Sequence, residues 1–94
     1  MENRKPVVVC TSHRGVFFGY VSGDTYNNTI ILHDARMCIY WSSDMKGVFG
    51  LSSMGPSKNC KISQKIQRIE VRDITCVMDV SNDAVANWEK APWG

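Results

Sequence analysis

The feature that most narrows the fold is a β-branched run followed at once by a turn and a second apolar run broken by glycine. Pro6-Val7-Val8-Val9-Cys10-Thr11 begins at a proline, where a missing N–H is tolerated, and reads as a first strand. Ser12-His13-Arg14-Gly15 is a turn, and Val16 to Val21 returns as a second strand, so the two form an antiparallel hairpin. Gly19, in the middle of that return strand, marks a bend, a bulge or the close approach of another backbone. A sheet that starts this way is sharply curved.

The rest of the chain continues the pattern. Ser22 to Asn28 is a second turn cluster, Thr29 to His33 a third strand and Met37 to Trp41 a fourth, the last two joined through Asp34-Ala35-Arg36. Ser42-Ser43-Asp44 interrupts, Lys46 to Leu51 reads as a short strand, and Ser52 to Asn59, with Gly55-Pro56, reads as a loop. From Ser57 to Arg72 two readings stand side by side. Ile62, Ile66 and Ile69 fall on helical spacing, whereas Ile69 and Val71 suit a strand. Ile74 to Val80 is a strand. Ser81 resembles an N-cap, Asp83 complements the helix dipole, and Lys90 and Pro92 close a short helix from about Asn82 to Lys90.

Ninety-four residues support one core and one domain, 1–94. The expected fold is therefore mainly β: a small, strongly bent antiparallel β-barrel of five or six strands with one C-terminal helix. No apolar run approaches a membrane span, and the first residues show no secretory pattern, so a cytoplasmic location is expected. A formal charge of +2 is too small to attract a polyanion by net field, so an anionic partner has to be held locally. Cys10, Cys38, Cys60 and Cys76 lack CxxC spacing and read as reduced core thiols. His13 and His33 have no second ligand at zinc spacing, so no metal or cofactor is expected.

Val7-Val8-Val9, Gly15, Gly19, Asp24, Asn27 or Asn28, Ile30-Ile31-Leu32 and Asp34-Ala35 resemble the first motif of Sm-like proteins, small barrels related in shape to SH3 domains. No Arg-Gly pair near the C-terminal strands supplies the second motif. The stretches Gly15 to Gly19, His33 to Arg36, Tyr40-Trp41-Ser42 and the C-terminal helix running toward Trp93-Gly94 are similar to a family of small bacteriophage proteins of unannotated function. That resemblance implies phage origin and action in the host bacterial cytoplasm. By analogy with small oligomeric phage proteins, it suggests capture of a nucleotide immune signal between subunits.

The candidate site follows from what a nucleotide needs: a ring to stack the base, a guanidinium for phosphate and small polar groups for ribose. Arg36, Tyr40, Trp41, Ser42 and Ser43 place these within one strand and its end. His13, Arg14, Tyr26 and Asn28 add turn residues, the last two from a neighbouring subunit. The competing readings are that Trp41 plugs the barrel and that Arg36 pairs with Asp34. If the 57–72 segment is helical, Lys58, Lys61, Lys65, Arg68 and Arg72 form a basic stripe. Trp88 and Trp93 are expected at a subunit contact, giving a homo-oligomer.

The resulting expectation is a counter-defence protein that sequesters a cyclic oligonucleotide or an ADP-ribose-type signal in intersubunit pockets without cleaving it. Two alternatives are an Sm-like ring on single-stranded RNA and a protein inhibitor of a host enzyme. Hydrolase motifs are absent, which leaves a His13-dependent phosphodiesterase as the residual enzymatic reading.

Overall fold

Val7, Val8 and Val9 have no exposed surface at all, so both faces of the first strand are covered. The computed structural model describes residues 4–12, 15–22, 28–41, 48–57 and 60–91. Its strands are β1 (Arg4–Thr11), β2 (Val16–Ser22), β3 (Thr29–Tyr40), β4 (Lys61–Ile62), β5 (Ile66–Arg72) and β6 (Ile74–Asp79). Two helices, α1 (Val48–Ser53) and α2 (Asn82–Lys90), complete the described elements.

All ladders are antiparallel, in the order β4-β3-β2-β1-β6, with β5 also on β3. β3 is long enough to be shared: Thr29 to Ala35 pairs β5, and Cys38 to Tyr40 pairs β4. β5 and β6 lie toward opposite ends of the sheet yet are joined by Asp73 alone, at φ 58°. The sheet therefore curls strongly, as expected, but among the described residues no lateral β5–β6 ladder closes it into a barrel.

The expected third and fourth strands are one. Asp34, at φ 50°, is an extra residue in β3: Phe18 pairs Arg36 and Tyr20 pairs His33, so two steps on β2 match three on β3. Such a bulge changes which face the side chains meet. Before it Ile30 and Leu32 point inward. After it Ala35 continues the inner row while Arg36 and Cys38 join the other face. Gly19, opposite the bulge, is a point of close approach, because a Cβ there would lie 2.8 Å from Leu32 Cβ.

Two apolar layers result. The concave face buries Val7, Val9, Val21, Ile30, Leu32, Ala35 and Val71. The other face buries Val8, Val16, Phe18, Cys38 and Ile62 beneath Leu51 of α1 and Ala84 and Trp88 of α2.

Of the strand expected over 46–51, the described residues 48–51 belong instead to α1. The segment lacks period-two alternation. It anchors through fully buried Leu51, and it stops at Gly55, whose φ of 78° and N–H to Gly50 O bond end the helix. The helical reading of 57–72 is also corrected. Ile66 to Arg72 is a strand, so its charged residues are set by the β3 register: Arg68 opposite His33 and Arg72 opposite Thr29. Lys61 sits on β4, and Lys58 lies outside the described residues. Among the described residues no helical basic stripe forms. α2 is as expected, with the Ser81 hydroxyl accepting from Ala84 N at 3.1 Å, Asp83 in the first turn and Lys90 in the last.

Candidate functional site

Arg36 is read from the sequence as a phosphate ligand, but its guanidinium is already occupied by the protein. The residue is 5% exposed. Its Nε donates to Ser63 O at 2.9 Å, and its Nη1 donates to Trp88 O at 2.9 Å and Glu89 O at 3.5 Å. Arg36 thus clamps the last turn of α2 and the β4–β5 connection to β3. Burial pulls its pKa down from the usual arginine range and the nearby Glu89 carboxylate pushes it back. The pairing with Asp34 weighed above is not what it makes; Asp34 faces Arg4 at 3.9 Å.

Around this clamp lies a polar cluster that the sequence does not announce. Tyr20 Oη donates to Glu89 Oε2 at 2.5 Å and Lys65 Nζ donates to Glu89 Oε1 at 2.8 Å. Burial raises the Glu89 pKa, but the hydrogen bonds from Lys65 and Tyr20 and the Lys65 and Arg36 charges outweigh it. The carboxyl is held below its ordinary range. Tyr20 moves the other way, kept protonated by burial and by its bond to Glu89. Each polar end of the cluster has a partner, so it reads as a brace between β2, the β4–β5 connection and α2.

The other proposed residues separate. Tyr40 is 53% exposed at the end of β3, and Trp41 is half-buried against the helix-side core, so of the two aromatics the tyrosine is the free one. Met37 and Trp41 lie on different faces, Met37 lining the concave side and Trp41 packing on the helix-side core, with the β3–β4 register shifting between Cys38 and Tyr40. Asn28 Nδ2 donates to Asp73 Oδ1 at 3.2 Å, and its carbonyl accepts from Ile74 N at 3.3 Å, so it braces the β5–β6 corner. His13, Arg14, Tyr26, Ser42 and Ser43 lie outside the described residues.

Trp88 is not available to a partner. It is fully buried, its ring stacks on Phe18 at 5.1 Å and 7°, and its Nε1 donates to Leu51 O at 2.9 Å. The sequence reading missed this because it counted the area a 94-residue barrel can cover without α1, whose Leu51 supplies the missing wall. Trp93 lies outside the described residues.

Besides a polar hollow of about 490 Å³ between the end of α1 and α2, lined by Ser53, Met54, Asp83 and Asn87, the concave face carries an opening. Two adjoining cavities, of about 320 and 230 Å³, share Phe17, Met37 and Ile69. Thr11, Gly15 and Arg72 border the first, and Ser63, Gln64 and Ile66 border the second. The groove exists because β5 leaves β3 after the Ala35–Ile66 pair, which strips the cover from the end of the concave face. Met37 and Ile66, at 39% and 48% exposed, are its open apolar walls. Phe17 is Met37's cross-strand partner, a pairing that becomes legible only once β3 is known to be continuous.

A family model described as a domain of unknown function, DUF6948, matches residues 4–88. The chain belongs to this family. The DUF6948 match runs from the first residue of β1 into α2 as far as Trp88, and so takes in Arg36, Ser63 and Trp88 together with the groove, ending one residue before Glu89. No curated protein and no solved structure matches the chain.

Proposed function

We propose that this DUF6948 domain is a non-catalytic binding module that captures a nucleotide-derived small molecule, with the base in the Phe17–Met37–Ile69 groove. The observation that carries the reading is the groove itself. It is walled by apolar Phe17, Met37 and Ile69 and bordered by Thr11, Ser63, Gln64 and the Glu70–Arg72 ion pair. A flat base wants apolar walls with a few polar groups at the edge.

A cavity of about 320 Å³ is at the small end of ligand sites, so one subunit encloses a base-sized head and leaves the remainder open. A second copy set over the groove completes the enclosure, in keeping with a homo-oligomer. For a chain of phage origin the ligand is a host immune signal, a cyclic oligonucleotide or an ADP-ribose derivative, held by mass action without turnover.

The test is to incubate the purified protein with a panel of cyclic oligonucleotides and ADP-ribose derivatives, remove the protein, and heat it. Depletion followed by recovery of the intact compound supports capture. A changed product indicates an enzyme, and no depletion across the panel removes the reading.

Phe49, 71% exposed on α1, favours a second reading, in which the domain inhibits a host enzyme by docking an apolar side chain. Phe49→Ala separates the two: it abolishes inhibition by docking and leaves nucleotide capture intact.

A further inference from the structure

Cys10 and Cys76 are direct register partners on neighbouring antiparallel strands, β1 and β6. Residues opposite each other in such a ladder have Cα atoms about 4.5–5.5 Å apart and side chains on the same face. That span falls inside the about 4.4–6.8 Å that a disulfide bridges without backbone movement. Both thiols are free and half-buried.

The other two cysteines provide a contrast within the same molecule. Cys38 is 4% exposed, and its register partner on β4 is Ile62, not a cysteine. Cys60 Sγ lies 3.7 Å from Ser57 Oγ, just ahead of β4. Only the Cys10 and Cys76 pair combines register with access.

We propose that Cys10 and Cys76 are a modification site at which a small-molecule disulfide of the glutathione class oxidises the pair to a cross-strand disulfide. One thiolate attacks the oxidant's sulfur, which breaks its S–S bond and releases one small thiol. The second cysteine then attacks the protein sulfur of the mixed disulfide, forms the Cys10–Cys76 bond and expels the second small thiol. The protein loses two electrons and two protons, and the oxidant gains both.

The bond staples β6 to β1, which is β6's ladder partner among the described residues. Because α2 begins directly after β6, at Asn82, the staple also fixes the arrival of the helix that covers the core. Burial and the Cys76 thiol push Cys10 up to about 12, so the reaction is slow at neutral pH and accelerates as pH rises. The pair therefore remains dithiol under brief exposure and closes under sustained oxidation.

The experiment treats the reduced, full-length protein with excess oxidised glutathione at several pH values, then quenches with acid and alkylates the remaining thiols. The expected product is a monomer lighter by about 2 Da before alkylation, which then takes up two alkyl groups, at Cys38 and Cys60, where the reduced protein takes up four, with the Cys10 and Cys76 peptides linked. Its thermal midpoint rises by roughly 10 °C, because the bond closes a loop of about 65 residues. Cys76→Ser removes both the mass loss and the rise. A Cys38→Ala/Cys60→Ala variant retains both, which keeps the proposal testable should Cys76→Ser fold poorly. Stable glutathione adducts at Cys10 or Cys76, intermolecular dimers, linkage of Cys38 to Cys60, or thiols that stay reduced throughout would each overturn the assignment.

Discussion

Arg36 and Trp88 hold each other through two routes. Arg36 Nη1 donates to the Trp88 carbonyl at 2.9 Å, while the Trp88 ring stacks on Phe18, which is Arg36's cross-strand partner on β2. One helical residue is therefore fixed to a single rung of the sheet by both its backbone and its side chain. A helix end leaves carbonyls without intrahelical partners, and a cation there satisfies them and complements the dipole. The last turn of α2 depends on a side chain from β3 for that purpose.

Arg36→Met is accordingly expected to destabilise the domain by about 2–3 kcal/mol, since it leaves the buried Trp88 carbonyl without a donor. Arg36→Lys recovers only part of this, because an ammonium cannot reproduce the guanidinium fork that spans Ser63 O and Trp88 O. Urea unfolding of the three proteins reads the difference. A midpoint unchanged in Arg36→Met would mean the clamp is not holding the fold.

The Glu89 carboxyl sets an acid limit. Its folded pKa lies below its ordinary value, so the stability it contributes is present above the unfolded carboxylate range near 4.3 and is lost as pH falls through the folded pKa. Glu89→Gln should flatten this limb of the stability curve below about pH 4.5 and, because the Glu89 carboxylate also helps keep Tyr20 protonated, should reduce the tyrosine's share of the alkaline limb as well. Guanidinium unfolding from pH 3 to pH 7 measures it.

An alkaline limit has the opposite sign. Burial and the Cys76 thiol raise Cys10, burial and nearby Cys60 raise Cys38, and each reaches about 12; burial and the Glu89 bond raise Tyr20 further. Folded-state values above the unfolded ones mean that the contribution is complete below pH 9 and declines between pH 9 and 12 for the thiols. Cys10→Ser together with Cys38→Ala should make the curve shallower across that window, as followed by circular dichroism at fixed urea.

Gly19→Ala places a methyl group 2.8 Å from Leu32 Cβ, a fully buried side chain, and should destabilise the domain by about 1–3 kcal/mol. The same substitution made on a Leu32→Ala background should be less damaging, because part of the crowding at Cγ and Cδ2 has been removed. Additive effects in this double-mutant cycle would contradict the packing account.

What the sequence made readable follows from how local each signal is. The β1–β2 hairpin, β6 and α2 have short-range signatures: a β-branched run, a tight turn, a Ser81 cap with Lys90 and Pro92 at the far end. Asp34 defeated the reading of β3 because Asp-Ala-Arg looks like a turn, and a left-handed residue inside a strand is chosen by the curl of the sheet around Gly19. α1 is equally non-local: six residues form a helix because Leu51 fills the space over Trp88 and Gly55 packs against Ala84. The site suffered most. Arg36 is the right residue type for an anion, but the carbonyls of Ser63, Trp88 and Glu89 that occupy it come from 27 to 53 residues away along the chain.

The same geometry separates two candidate contact residues that the sequence places three apart. Met37 lines the concave groove, opposite Phe17, whereas Tyr40 lies beyond the register shift at the end of β3. Both are well exposed, so substitution at either should change stability by about 0.5 kcal/mol or less. Met37→Glu places a carboxylate against apolar walls and toward a phosphate-bearing ligand, and should weaken nucleotide capture by tenfold or more. Tyr40→Ala should leave capture within about twofold if the groove is the site. Titration calorimetry on both variants, with whichever compound the panel identifies, decides between them: loss at Tyr40 with retention at Met37 would move the site out of the groove and onto the β3 terminus.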